Sequence, residues 1–152
     1  MSVKPTTADA ELILKLYDLR REAEMRKARN WWFGFWPESA DDFMKVGMAM
    51  GTQENAWLRQ VSGYWEMVAS LVQHGTLNRE LFLEPSVSGE MFVVFAKVHP
   101  FLKELREKMQ SPTAFSNMEK VIMNAPGGPE RLKQYEERMA AFRKMAPLAK
   151  AG

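Results

Sequence analysis

The two histidines, His74 and His99, are the first residues to search for chemistry, because imidazole titrates nearest neutral pH. Neither sits in a metal-binding pattern. A di-iron bundle uses Glu-x-x-His on its helices, and the residues three before each histidine are Leu71 and Ala96. A His-Glu-x-x-His zinc helix is absent. There is no glycine-rich loop followed by Lys-Ser or Lys-Thr, and Gly127-Gly128 runs into Pro129, which has no amide to offer an anion. No Gly-x-Ser-x-Gly nucleophile elbow occurs. The chain has no cysteine, which removes disulfides, thiolate metal sites and a cysteine nucleophile. No catalytic residue, metal ligand or cofactor is therefore expected. His74, at a helix end, is read as a cation favoured by the helix dipole. His99, before Pro100 on an apolar stripe, is read as a buried, hydrogen-bonded histidine. A carboxylate partner for it must come from another helix.

What the sequence offers instead is binding surface. Asn30-Trp31-Trp32-Phe33-Gly34-Phe35-Trp36-Pro37 is aromatic in every direction, so one amphipathic face cannot accommodate it. Gly34 and Pro37 are expected to break a helix there, leaving an irregular elbow. Its cover is the core, a second subunit, a ligand or a membrane surface. The candidate binding residues are Trp31, Trp32, Phe35 and Trp36, together with Trp57, Tyr64, Trp65 and His99. Just before the segment, Arg20, Arg21, Arg26, Lys27 and Arg29 are interleaved with Glu22 and Glu24. Such a run reads as a solvated face with internal salt bridges, or as a contact for an anionic membrane or nucleic acid beside the tryptophans.

The elements that must position these residues are helical almost throughout. A first helix is expected from a Thr7 cap to Arg29, with Leu12, Leu16, Leu19 and Ala23 on one stripe. Ser39 caps a short second helix that stops at Gly51. Thr52 caps a third, ending near His74 and Gly75, with Trp57, Val61, Tyr64, Val68 and Leu71 as its stripe. Its other face holds Ser62, Gly63, Ala69 and Ser70, which predicts a central helix packed on more than one side. Ser88 is expected to cap a long helix through Gln110, whose stripe from Met91 to Met109 keeps phase across Pro100. That predicts one kinked helix, antiparallel to the third and forming the core with it. Ser111-Pro112 opens a shorter helix, and Pro129 a last one carrying Leu132, Tyr135, Met139 and Phe142. The expected architecture is all-α: a single-domain bundle of about six helices over residues 8–146. Residues 1–7 and 147–152 are expected to be frayed.

At 152 residues, 46% hydrophobic and 26% charged, the chain has the composition of one globular domain. A net charge of +2, spread along the chain, gives no reason to expect nucleic acid. The N-terminus is too polar for a secretory signal and no apolar run approaches a bilayer span, so a cytoplasmic location is expected. The twelve methionines fit a plastic core. From Tyr64 to Ile122 the chain resembles a family of small helical bacterial domains of unknown function. The similarity lies in Leu71-Val72-x-x-Gly75, Leu77-x-x-Glu80-Leu81, His99-Pro100-Phe101-Leu102 and Arg106. The resemblance implies an all-helical fold and a bacterial source, and brings no activity, cofactor or catalytic residue. The function expected is a non-enzymatic interaction module that self-associates through Trp31 to Trp36. The alternatives are a binder of an apolar small molecule, or a cofactor-independent enzyme, with an aromatic and methionine pocket, and a peripheral membrane-surface protein.

Overall fold

A computed structural model describes residues 3–150, with side chains through Met145. The described residues are mostly helical and form one all-α domain: α1 (Thr7–Arg20), α2 (Ala23–Gly34), α3 (Ala40–Gly47), α4 (Gln53–Gln73), α5 (Arg79–Phe82), α6 (Pro85–Val98), a 3-10 turn (His99–Phe101), α7 (Leu102–Met109), α8 (Ser116–Met123) and α9 (Gly128–Lys150). No strand occurs among the described residues. The expected frayed tails fall partly on residues 1, 2, 151 and 152, outside the described residues. Val3 is held by the Asn78 side chain, whose amide donates to its carbonyl at 2.7 Å.

The expected first helix is two. Thr6, not Thr7, caps α1, in a reciprocal box with Asp9. The helix ends at Arg20, and Glu22 caps α2 by accepting from the Met25 amide at 2.9 Å. The break resets the buried face: Leu16 is buried, Leu19 and Ala23 are exposed, and α2 buries Met25, Ala28 and Trp32.

α4 is central as expected, packing along α2 and α8 and meeting α3 and α5. Its buried stripe is Leu58, Val61, Trp65, Val68 and Val72, while Trp57, Tyr64 and Leu71 are only half-buried. The charge-poor face divides. Ala69 is fully buried, but Gly63 is exposed and a Cβ there would meet nothing. Ser62 and Ser70 satisfy their hydroxyls on carbonyls of their own helix, at Leu58 and Met67, which removes the need for a packed neighbour. Glu66 caps α8 from across the bundle, accepting from the amides of Asn117 and Met118. Buried Asn55 does the converse for α3, donating to the carbonyls of Val46 and Gly47 at 2.9 Å each.

The long stripe runs through as one kinked helix. Met91, Phe95, Val98, Leu102 and Leu105 are all buried across the 3-10 turn that Pro100 imposes. Its start lies earlier than expected: Pro85 takes the first helical position, and Ser88 is buried within the helix instead of capping it. The closest helical partner of α6 is α9, which stacks Tyr135 on Phe92 at 5.5 Å and sets Arg131 over the same ring at 3.9 Å. α8 starts at Ser116, four residues beyond the expected Pro112, after Phe115 adopts a left-handed backbone. The turn into α9 admits only glycine at 128, because a Cβ there would lie 1.8 Å from the Ile122 carbonyl oxygen.

Candidate functional site

The aromatic segment packs mainly inside the chain. Trp31, Trp32 and Phe33 are still helical, and the chain leaves α2 at Gly34. Trp32 is 3% exposed, and its indole N–H is buried without a partner. Trp31 stacks on Phe35 at 4.6 Å and approaches Trp57 at 6.5 Å. Phe35, Phe43 and Phe115 continue the aromatic contacts through the core. Only Phe33, 52% exposed, stands out among the large side chains of the segment.

The elbow is closed by a lysine that sequence reasoning did not single out. Lys97 of α6 is 6% exposed. Its ammonium donates to the carbonyls of Trp32 and Phe35 and lies 4.1 Å from the Trp36 ring centroid. Burial pushes its pKa down to about 7, while the two carbonyls at the end of α2 and the Trp36 ring favour the charged form. A shallow hollow of about 190 Å³ beside it includes Trp36, Arg143 and Glu136. His99 lies at this end too, half-buried, stacked on Phe95, with Nδ1 2.8 Å from Glu136 on α9. Its carboxylate partner thus comes from another helix, and the ring is partly open to solvent instead of buried.

Tyr64 and Trp65 belong to a different place, a cleft of about 240 Å³ beneath α1. Trp65 and Val68 of α4, Phe82 of α5 and Val87 of α6 form its floor; Ile13, Leu16 and Tyr17 of α1 form its roof. The Tyr64 hydroxyl donates to the Leu16 carbonyl at 2.5 Å, fixing α1 to α4, and burial pushes this phenol up to about 12. Arg20 closes one end. Its guanidinium lies 5.4 Å from the Tyr17 ring centroid and 5.2 Å from that of Trp65. Behind it is Glu90, with a side chain only 10% exposed. Glu90 accepts from Trp65 Nε1 at 3.0 Å, Arg29 Nε at 2.7 Å and Arg20 Nη2 at 3.3 Å. The basic run therefore divides: Arg20 and Arg29 turn inward to one carboxylate, while Lys27 pairs with Glu24 on the surface. A broader groove of about 1110 Å³ lies between the segment from Val3 to Leu12 and the turn from Val72 to Glu84, ending at the first described residue.

Of the eight candidate binding residues, two line the cleft, one borders the hollow, four form the aromatic core, and His99 stands by Glu136. Among the described residues, no group of three or more histidines, aspartates and glutamates could hold a metal ion. No helix among them is long and apolar enough to cross a membrane.

Fold and cleft together define a small all-α domain with a cleft under its first helix. The chain belongs to the family described as domain of unknown function DUF4760, which it matches over residues 5–124. The match extends the resemblance seen over Tyr64 to Ile122 back to α1 and brings the aromatic segment within the family. Comparison with curated proteins and with solved structures finds no match.

Proposed function

We propose that this protein is a non-catalytic binding module whose cleft beneath α1 takes a small apolar molecule. The observation that carries this reading is the cleft itself. Its volume of about 240 Å³ exceeds the ~150 Å³ that accommodates a benzene ring, and its lining is apolar or aromatic apart from Arg20, Ser86 and two tyrosine hydroxyls. Among the described residues it has no carboxylate, histidine or lysine in its wall to move a proton, which favours binding over catalysis. A cysteine-free sequence and the resemblance to bacterial domains support a bacterial, cytoplasmic setting for it. The test is calorimetric titration of the full chain with a neutral apolar probe, octanamide. Saturable binding that is lost in Val87→Trp, with the circular dichroism unchanged, is the expected result. No heat from the wild type would remove the reading.

A second proposal, self-association through the aromatic segment, is supported by one observation, the exposure of Phe33. Sedimentation velocity should then show a concentration-dependent dimer that Phe33→Ser dissociates. A monomer at every concentration would end it.

A further inference from the structure

We infer that the ligand of this cleft is an amphipathic carboxylate, its apolar body on Trp65, Val68 and Phe82 and its anionic group on the guanidinium of Arg20. The inference rests on the cleft being a binding site and names the class of molecule that it takes. Arg20 is the one charged side chain in the lining among the described residues. Its Nε–H is buried and has no acceptor. Its bond to Glu90, at 3.3 Å, is the longest of the three that this carboxylate accepts from Arg20, Arg29 and Trp65. Two guanidinium groups therefore share one carboxylate, and Arg29 holds it more closely.

Local charge follows from that sharing. Arg20, Arg29 and Glu90 sum to one uncompensated positive charge, with the Arg20 and Glu90 side chains only 13% and 10% exposed. A buried cation is costly unless it is paired and its donors are used. A carboxylate entering the cleft beside the guanidinium supplies the missing negative charge, which water does not. The flanking rings of Tyr17 and Trp65 hold the guanidinium beside the cavity, so this donor is placed before a ligand arrives. The other polar group deep in the lining, the Tyr64 hydroxyl, already donates to Leu16 and does not compete. A neutral apolar guest would fill the same space and leave the charge unmet.

Calorimetry with octanoate against octanamide on the full chain tests this. Octanoate should bind about tenfold more tightly, the size of one charge-assisted hydrogen bond. Arg20→Gln should weaken octanoate more than octanamide and bring the two probes to one level, since the amide oxygen can accept from the guanidinium but carries no charge. Glu90→Gln should act in the opposite direction and tighten octanoate, since it removes the competing carboxylate while leaving an oxygen for the Trp65 indole. This second variant keeps the inference testable if Arg20→Gln fails to fold by circular dichroism. Equal affinity for the two probes, or a preference for octanoate that survives Arg20→Gln, would overturn the carboxylate assignment and leave the cleft as an apolar site. Failure of both probes to bind would overturn the cleft reading with it.

Discussion

Lys97 shows how one side chain can answer for an awkward stretch of backbone. The carbonyls of Trp32 and Phe35 lie where α2 stops and the aromatic elbow begins, and the Lys97 ammonium meets both. The cost is a cation removed from water. With a folded pKa of about 7 against an ordinary 10.5, the folded chain binds fewer protons than the unfolded one between those values. Stability contributed by this group therefore rises with pH across that window, by up to about 1.4 kcal/mol per pH unit. Urea unfolding from pH 7 to 10 should show that rise in the wild type and a flatter profile in Lys97→Met. Parallel profiles would mean that Lys97 stays charged in the fold. Gly63 gives a simpler case. It is exposed within α4 and a Cβ would meet nothing, so Gly63→Ala should stabilise by about 0.5–1 kcal/mol through helix propensity. A loss of stability in thermal melts would reveal a neighbour on that face. At this scale the sequence was least legible. Trp65 and Tyr64 could be named as large and half-apolar, but not that they floor a cleft. Arg20 could be named only as one member of a basic run, and Lys97 looked like one of twenty-one basic residues, because their roles are set by Glu90 and by the end of α2, partners distant in the chain.

Several helices in this bundle are finished by residues of other helices. Glu66 of α4 accepts from the first amides of α8, and Asn55 of α4 donates to the last carbonyls of α3. Glu66→Ala should cost about 1–2 kcal/mol, the value of a lost cap, with Glu66→Gln keeping an acceptor and costing less. Chemical denaturation checks both, and equal losses would assign the effect to charge instead of capping. Local caps were legible: Thr52 and Ser39 cap α4 and α3 as their positions imply. So was the passage of a helical stripe across Pro100, since five buried side chains outweigh one missing donor. The α1–α2 break was not legible. Leu12, Leu16, Leu19 and Ala23 keep helical spacing, and no glycine or proline marks Arg21 or Glu22. Beside the local Glu22 cap, the bonds that hold the two helices at that angle are tertiary: Tyr64 to Leu16 and the two arginines to Glu90. The start of α8 escaped for the same reason, its cap being a glutamate some fifty residues earlier.

For the molecule as a whole, α9 covers the face of α6 that carries Phe92, yet it begins beyond the family match at residue 124. Phe92 is fully buried, beneath Tyr135 and Arg131. A chain ending at residue 125 should therefore expose a contiguous apolar face, aggregate and lose cooperative unfolding. Size-exclusion chromatography with a dye that reports exposed apolar surface checks this; a dispersed chain that melts cooperatively would show α9 to be dispensable. The overall class of fold was legible because periodicity and the lack of alternating strands are local properties, whereas the arrangement of helices around α4 is not. The way α1 is fastened has a meaning in time. Its outer bonds are few: Asp9 receiving the Asn78 amide near one end, and Tyr64 on Leu16 and Arg20 on Glu90 toward the other. Loosening any one of these moorings would widen the cleft, so the residence of the proposed guest would depend on a handful of hydrogen bonds as well as on how deeply it lies.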